Sequence, residues 1–193
     1  MVTEVKDLSI PLTRNKRITA ITSQICIKCH VGADARTPTL LQSEKEGFNA
    51  ALAALARALK NRAFMYRGDP LNFSNTNWQT DRGNQIGGFG AGTGGRTMGA
   101  AFNFNLLRRD KGAFVHNNIY TKRLIYDSID WITNGPGGSV HVDTAINNLP
   151  DDPILVIATN GSTINFNQAV KTAAIAYLMG TDSNPSGIGN SRP

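Results

Sequence analysis

The chain has little cysteine, little histidine and no long apolar run. Its 193 residues include two cysteines and three histidines, too few for the disulfide framework of a small secreted scaffold. The most apolar window, residues 50–59, is too short to cross a bilayer. Residues 1–7 contain no apolar signal core. We therefore expect no membrane span and no signal peptide within this chain.

Charged and aromatic residues are also sparse, at 18% and 7%, whereas glycine is frequent. This balance indicates a large share of irregular backbone. The net charge of +6 would favour an acidic partner or an anionic surface. Basic and aromatic residues are not interleaved as a nucleic-acid groove requires, so we expect no nucleic-acid partner.

The segment Cys26-Ile27-Lys28-Cys29-His30 is the attachment signature of a c-type haem. Each thiol can add to one vinyl group of the porphyrin, and the imidazole of the histidine that follows can bind the iron. One covalent haem c is therefore predicted. The same cysteine pair also matches a thioredoxin-like redox motif, but no βαβ pattern surrounds it. A zinc site would need further ligands, and only His116 and His141 remain, at no finger-like spacing.

The second axial ligand would determine how the iron behaves. A second protein ligand closes the coordination sphere, which suits electron transfer, whereas an open position would admit peroxide or a gas. We expect His116, which has apolar neighbours on its N-terminal side, with Met98 and then His141 as alternatives. Met65 is a further candidate. A methionine ligand would raise the reduction potential relative to two imidazoles.

Hydrophobic periodicity predicts a mainly α-helical chain. A first long helix over residues 44–61 starts at a capping box formed by Ser43 and Glu46, and a second long helix covers residues 117–133. Their apolar stripes are Phe48, Leu52, Leu55 and Leu59 in the first helix, and Ile125, Ile129 and Ile132 in the second. The remaining predicted elements are a helical lead-in over residues 18–27, short helices over 97–107 and 139–149, a strand over 153–159, and a final helix over 165–179 capped by Asn165.

Residues 65–99 show no periodicity and end in a run of glycines. Gly90, Gly92 and Gly95 satisfy the G-x-G-x-x-G pattern, but no strand precedes them, so we expect a flexible loop rather than a nucleotide site. The predicted fold class is a cytochrome c-like, mainly α domain with long irregular, glycine-rich loops. The predicted divisions are an extended N-terminal arm (1–20), one haem-binding helical domain (21–180) and a loose polar tail (181–193).

Four blocks of the sequence form a recognisable set: Glu46–Leu52, Met98–Leu107, Gly112–Asn117 and Tyr120–Trp131. Together they resemble the C-terminal domain of the large multihaem c-type cytochromes of metal-reducing, Geobacter-like bacteria. The resemblance runs from about Gln24 to Trp131. It implies extracytoplasmic electron transfer, with His116 as an iron ligand. Those cytochromes carry many attachment motifs, whereas this chain carries one.

We therefore predict an electron-transfer protein of the periplasm or cell surface, not an enzyme. Its expected partners are redox proteins, other multihaem cytochromes among them, and further copies of itself. Two alternatives stay open: an open-iron haem peroxidase or gas-binding domain, and an assembly module of a cytochrome filament or complex. From their charge alone, we expect partners of the haem propionates among Arg36, Arg62, Arg96 and Lys122.

Overall fold

The computed structural model describes residues 2–7, 16–30, 32, 37–62, 94–110, 112–115, 118–157 and 163–180. These ranges contain six α-helices and two small antiparallel sheets, so the mainly α class is confirmed. The helices are α1 (Gln24–Cys29), α2 (Pro38–Asn61), α3 (Gly94–Arg109), α4 (Asn118–Asn134), α5 (Val142–Asn147) and α6 (Gln168–Met179). The paired strands are β1 (Val2–Lys6) with β2 (Lys16–Ile21), and β3 (Asp152–Val156) with β4 (Thr163–Phe166).

Helix α2 is the centre of the packing. It contacts α3, α4, α6, strand β2 and both strands of the second sheet. The predicted stripe of Phe48, Leu52, Leu55 and Leu59 is buried, and the alanines between these residues are buried as well. Because alanine side chains are short, neighbouring elements approach α2 from several sides. The second half of α2 is therefore enclosed almost all round.

A close approach between α2 and α6 depends on Gly47. A Cβ atom at this position would lie 2.6 Å from Cδ2 and 2.9 Å from Cβ of Tyr177. The Tyr177 ring is buried, and its hydroxyl donates to Oδ1 of Asn118 at 3.3 Å. The ring therefore has little room to move, and glycine is what lets the two helices meet here.

Residues 16–21 form strand β2, so the predicted helical lead-in over residues 18–27 is wrong in its first half. The segment contains Ile18, Thr19 and Ile21, β-branched residues that favour a strand. The Ile18 N–H donates to Oε1 of Gln42 at 2.8 Å, and the Ile18 side chain is buried. The end of the predicted N-terminal arm is thus attached to α2. The domain limits at residues 20 and 180 stay predictions.

Helix α2 begins earlier than the capping box predicted. Thr37 is the N-cap, and its hydroxyl oxygen accepts a hydrogen bond from the Leu40 N–H at 3.1 Å. Pro38 takes the first helical position, where its fixed φ and missing N–H cost nothing. The prediction that Ser43 caps this helix with Glu46 is therefore wrong.

Helix α6 begins later than predicted. Asn165 lies in strand β4, and the cap is Asn167, whose side chain accepts from the Val170 N–H at 3.3 Å. The end of the helix is as predicted, because Gly180 follows it with φ of 77°. The predicted tail, residues 181–193, lies outside the described residues.

Helices α3 and α4 agree closely with the predicted segments. Helix α4 ends at Asn134, before Gly135 with φ of 63°, and its isoleucine stripe is buried. Helix α3 starts at Gly94, so it includes the end of the predicted glycine loop. The two helices are antiparallel, since Trp131 donates to Thr97 near the start of α3 and Asn103, further along α3, donates to the earlier residue Ser128 at 3.0 Å. Residues 65–93 of the predicted loop, Met65 among them, lie outside the described residues.

Candidate functional site

The two cysteines lie on α1, a short helix that ends at Cys29. Positions 26 and 29 are three residues apart, a spacing that places them on one face of a helix. Cys26 carries a free, half-buried thiol. His30 follows as the C-terminal cap; its N–H donates to the carbonyl of Cys26 at 2.9 Å, and its side chain is exposed. The local backbone therefore has the spacing that covalent attachment to a porphyrin needs.

Both ends of α1 connect to the N-terminal end of α2. On one side β2 is bonded to Gln42, and the three peptide units from Ile21 to Gln24 span at most about 11 Å. On the other side the chain enters α2 at Thr37. Helix α1 itself is only about 9 Å long, whereas α2 is about 36 Å long. The cysteine motif therefore lies near the N-terminal end of α2.

The segments on either side of His116 contact the N-terminal half of α2. The ring centroid of Phe114 lies 6.3 Å from that of Phe48. The side-chain N–H of Asn118 donates to Oε2 of Glu44 at 2.8 Å. His116 itself lies outside the described residues, but Phe114 before it and Asn118 after it contact the N-terminal half of α2.

Met98, the first alternative ligand, lies on α3 and packs half-buried against the core. Its neighbour Thr97 accepts a hydrogen bond from the Trp131 indole at 3.1 Å. Along α4, Trp131 is about 20 Å from Asn118. Met98 is therefore near the opposite end of α4 from the segment that carries His116.

His141, the second alternative, is the exposed N-cap residue of α5. Its neighbour Val140 lines a cavity of about 230 Å³ together with Asn61, the last residue of α2. Asn61 is about 26 Å from Glu44 along the helix axis. His141 is therefore at the C-terminal end of α2.

Six exposed apolar side chains belong to α1, to the first turn of α2 and to the segments that contact the N-terminal half of α2. They are Ile25 (77% exposed) and Ile27 (46%) on α1, Leu40 (38%) in the first turn of α2, and Val115 (46%), Ile119 (61%) and Tyr120 (57%) around the start of α4. A single exposed apolar residue is ordinary, but a group of them indicates a surface that binds an apolar partner. A porphyrin ring is such a partner. These residues, together with the cysteine pair, fit a covalently bound haem.

A buried charged cluster lies beside this surface. Lys122 is fully buried, with Nζ 3.7 Å from Oε2 of Glu44 and 4.4 Å from the centroid of the Tyr177 ring. Burial lowers the pKa of Lys122, and the Glu44 carboxylate offsets part of this effect. Burial, with a smaller contribution from Glu44, raises the pKa of Tyr177. Lys122 therefore faces the interior, and the expectation that it binds a haem propionate is wrong.

The other expected propionate partners are separated. Arg62 lines the cavity at the C-terminal end of α2. The Arg96 guanidinium lies 5.2 Å from the centroid of the Trp131 ring, near the C-terminal end of α4. Arg36 lies outside the described residues. Neither of the two described arginines is at the end of α2 to which the cysteine motif is attached.

We also searched the described ranges for clustered metal-binding side chains and for membrane-spanning helices. In these ranges, no group of three or more His, Cys, Asp and Glu side chains converges as a metal site. None of their helices combines the length and the apolar character that crossing a membrane requires.

Comparison with known proteins shows which proteins this chain is similar to. No protein-family model matches the chain, and no solved structure matches it. The chain is 36% identical over 195 residues to the C-type polyheme cytochrome OmcC of Geobacter sulfurreducens, an alignment that covers 94% of this chain and 24% of the relative. It is 37% identical over 186 residues to the C-type polyheme cytochrome OmcB from two strains of that bacterium, which covers 88% of this chain and 23% of OmcB. The resemblance to large multihaem c-type cytochromes is therefore confirmed: the chain is similar to these polyheme cytochromes over nearly all of its own length, and it spans about a quarter of theirs.

Proposed function

We propose that this chain transfers electrons through one haem c, attached to Cys26 and Cys29, with the iron held by His30 and His116. The relatives are c-type cytochromes by name, which supports haem c as the cofactor, and the attachment motif is complete in this chain. When bound, the haem would supply a one-electron iron couple. The observation that carries the proposal is that the strand before α1 and both segments flanking His116 contact the N-terminal half of α2.

Covalent geometry supports His116 as the second ligand. It precedes Asn118 by two residues, so the two Cα atoms are at most about 7 Å apart. Asn118 is hydrogen-bonded to Glu44, close to where the cysteine motif joins α2. Met98 and His141 are separated from this region by about 20 Å along α4 and about 26 Å along α2. These separations favour His116 over both alternatives.

The apolar side chains at this end of α2 would exclude water from the iron. On α1 and α4, the residues of this set that are exposed to solvent are Ile25, Ile27, Ile119 and Tyr120. A dry site with two protein ligands favours outer-sphere electron transfer over reactions that need an open iron position. We therefore propose that the chain is an electron carrier rather than an enzyme.

Location and partners follow from the same proposal. Haem is attached to cysteines outside the bacterial cytoplasm, so we propose a periplasmic or cell-surface location. The net charge of +6 would speed encounter with an acidic redox protein. Other multihaem cytochromes are the proposed partners, and self-association of single-haem copies would extend the electron path.

Spectra of single variants test this proposal. The chain is exported in a bacterium that attaches haem, and His116→Ala is compared with Met98→Leu and His141→Ala. The wild type and the last two variants should stay low spin and bind carbon monoxide poorly, since both axial positions are filled. His116→Ala should turn high spin and bind the gas. A wild type that binds carbon monoxide readily would instead favour the peroxidase or gas-binding function, and loss of the low-spin form in Met98→Leu alone would move the ligand to Met98.

A further inference from the structure

The buried cluster of Glu44, Lys122, Asn118 and Tyr177 is a poor source of stability. The Glu44 and Lys122 side chains are 8% and 0% exposed, and desolvating a buried ion pair often costs more than the pair regains. No hydrogen-bond acceptor among the described residues reaches Nζ of Lys122. Apolar residues of the same volume would commonly serve stability equally well. The cluster is therefore better explained by the helices that it holds in place than by the stability that it contributes.

Asn118, the first residue of α4, is held at both of its side-chain polar atoms. Its Nδ2 donates to Oε2 of Glu44 at 2.8 Å, and its Oδ1 accepts from the hydroxyl of Tyr177 at 3.3 Å. Glu44 belongs to α2 and Tyr177 to α6. The start of α4 is thus fixed relative to two helices at once, while Lys122 compensates the charge of Glu44.

A second set of contacts fixes the preceding turn. The hydroxyl of Thr121 donates to the carbonyl of Ala113 at 2.9 Å, which joins the two ends of the segment from 113 to 121. Phe114 attaches this segment to α2 through Phe48. His116 belongs to the segment by sequence, between the anchors at Phe114 and Asn118.

We infer that Asn118, held by Glu44 and Tyr177, is a positioning residue for the second iron ligand, and that Thr121 has the same role from the other side of the segment. This inference rests on the proposed function, because it takes His116 as that ligand. Residues outside the first coordination sphere commonly determine how firmly a histidine is held on a metal. Asn118 and Thr121 act through the backbone that carries the ligand.

Asn118→Ala in the haem-loaded chain tests the inference, with Asn103→Ala as the matched control. Asn103 is also partly buried and donates one side-chain hydrogen bond, to Ser128 on α4 at 3.0 Å. The measured quantity is the rate at which the reduced protein binds carbon monoxide, together with the spin state of the ferric form. Asn118→Ala should raise this rate about tenfold, equivalent to ~1.4 kcal/mol, because the ligand leaves the iron more often. Asn103→Ala should keep the wild-type rate.

Two further variants make the test independent of the folding of Asn118→Ala. Thr121→Val keeps the shape of a buried residue while it removes the hydroxyl, and it should raise the rate in the same way. The double variant Glu44→Gln with Lys122→Met removes both charges but keeps an oxygen acceptor for Asn118. This double variant should bind carbon monoxide at the wild-type rate.

The outcomes separate this inference from the proposed function. If Asn118→Ala and Thr121→Val bind carbon monoxide no faster than Asn103→Ala, the positioning role is overturned, and a low-spin wild type leaves the proposed function standing. A wild type that is high spin, or that carries no haem, overturns both.

Discussion

Gly47→Ala should destabilise the protein, although alanine is the better helix former. The new Cβ would lie 2.6, 2.9 and 3.0 Å from Cδ2, Cβ and Cγ of Tyr177. The ring cannot easily yield, because its hydroxyl is bonded to Asn118 and the Lys122 ammonium lies over its face. Overpacking costs about 1–3 kcal/mol, and we take the upper end at this confined contact. Helix propensity returns about 1 kcal/mol, which leaves a net loss of ~2 kcal/mol.

Gly99→Ala is the matched control for this prediction. Gly99 lies within α3, and a Cβ there would meet no atom of the described structure within 4 Å, so the substitution should stabilise by ~1 kcal/mol. Thermal unfolding measures both, since ~1 kcal/mol shifts Tm by about 2–4 °C in a protein of this size. We expect a decrease of about 4–8 °C for Gly47→Ala and an increase of about 2–4 °C for Gly99→Ala. Shifts of the same sign and size would refute the close contact between α2 and α6.

Two further predictions concern the cap of α2 and the buried tyrosine. Thr37→Ala should lower the free energy of unfolding in urea by ~1 kcal/mol, because Thr37 caps the helix. Ser43→Ala should leave it unchanged. A larger loss in Ser43→Ala than in Thr37→Ala would instead support the capping box of Ser43 and Glu46. Burial raises the pKa of Tyr177 above the ordinary tyrosine value of about 10, so above that pH the unfolded chain releases a proton that the folded chain keeps. Wild-type stability should therefore fall as pH rises from about 10, and Tyr177→Phe should show less of this fall in urea unfolding at pH 9 and 11. An unchanged alkaline decline in Tyr177→Phe would contradict the burial of that hydroxyl.

Helix α4, the attachment motif and the mainly α class could be predicted from patterns between residues that are close in the sequence. The isoleucine stripe of α4 repeats at helical spacing, and Asn134-Gly135-Pro136 predicts its end, so both were predictable. The attachment motif also lies within five consecutive residues, and its interpretation needs no tertiary information. The mainly α class follows from the same periodicity.

The start of α2 and the buried cluster could not be predicted in this way. The first depends on which of two candidate caps is used, and the second on contacts between residues far apart in the sequence. Thr37 and Ser43 are both good caps, and two features favour Thr37: Pro38 in the first helical position, and the burial of Leu41 and Gln42 in the turn that precedes Ser43. Glu44 and Asn118 are 74 positions apart in sequence, so no spacing rule could pair them. For the same reason the charge of Lys122 alone suggested a propionate partner, whereas the fold buries this side chain beside Glu44.

The state of the two sulfurs decides whether this chain is a haem protein at all. Intact mass spectrometry of the exported chain, followed by the mass of the peptide that contains Cys26 and Cys29, measures it. We predict one haem per chain, joined to that peptide through both sulfurs, and none in the double variant Cys26→Ser with Cys29→Ser. An exported chain with both thiols free, or with zinc in place of the porphyrin, would contradict the haem site and everything inferred from it.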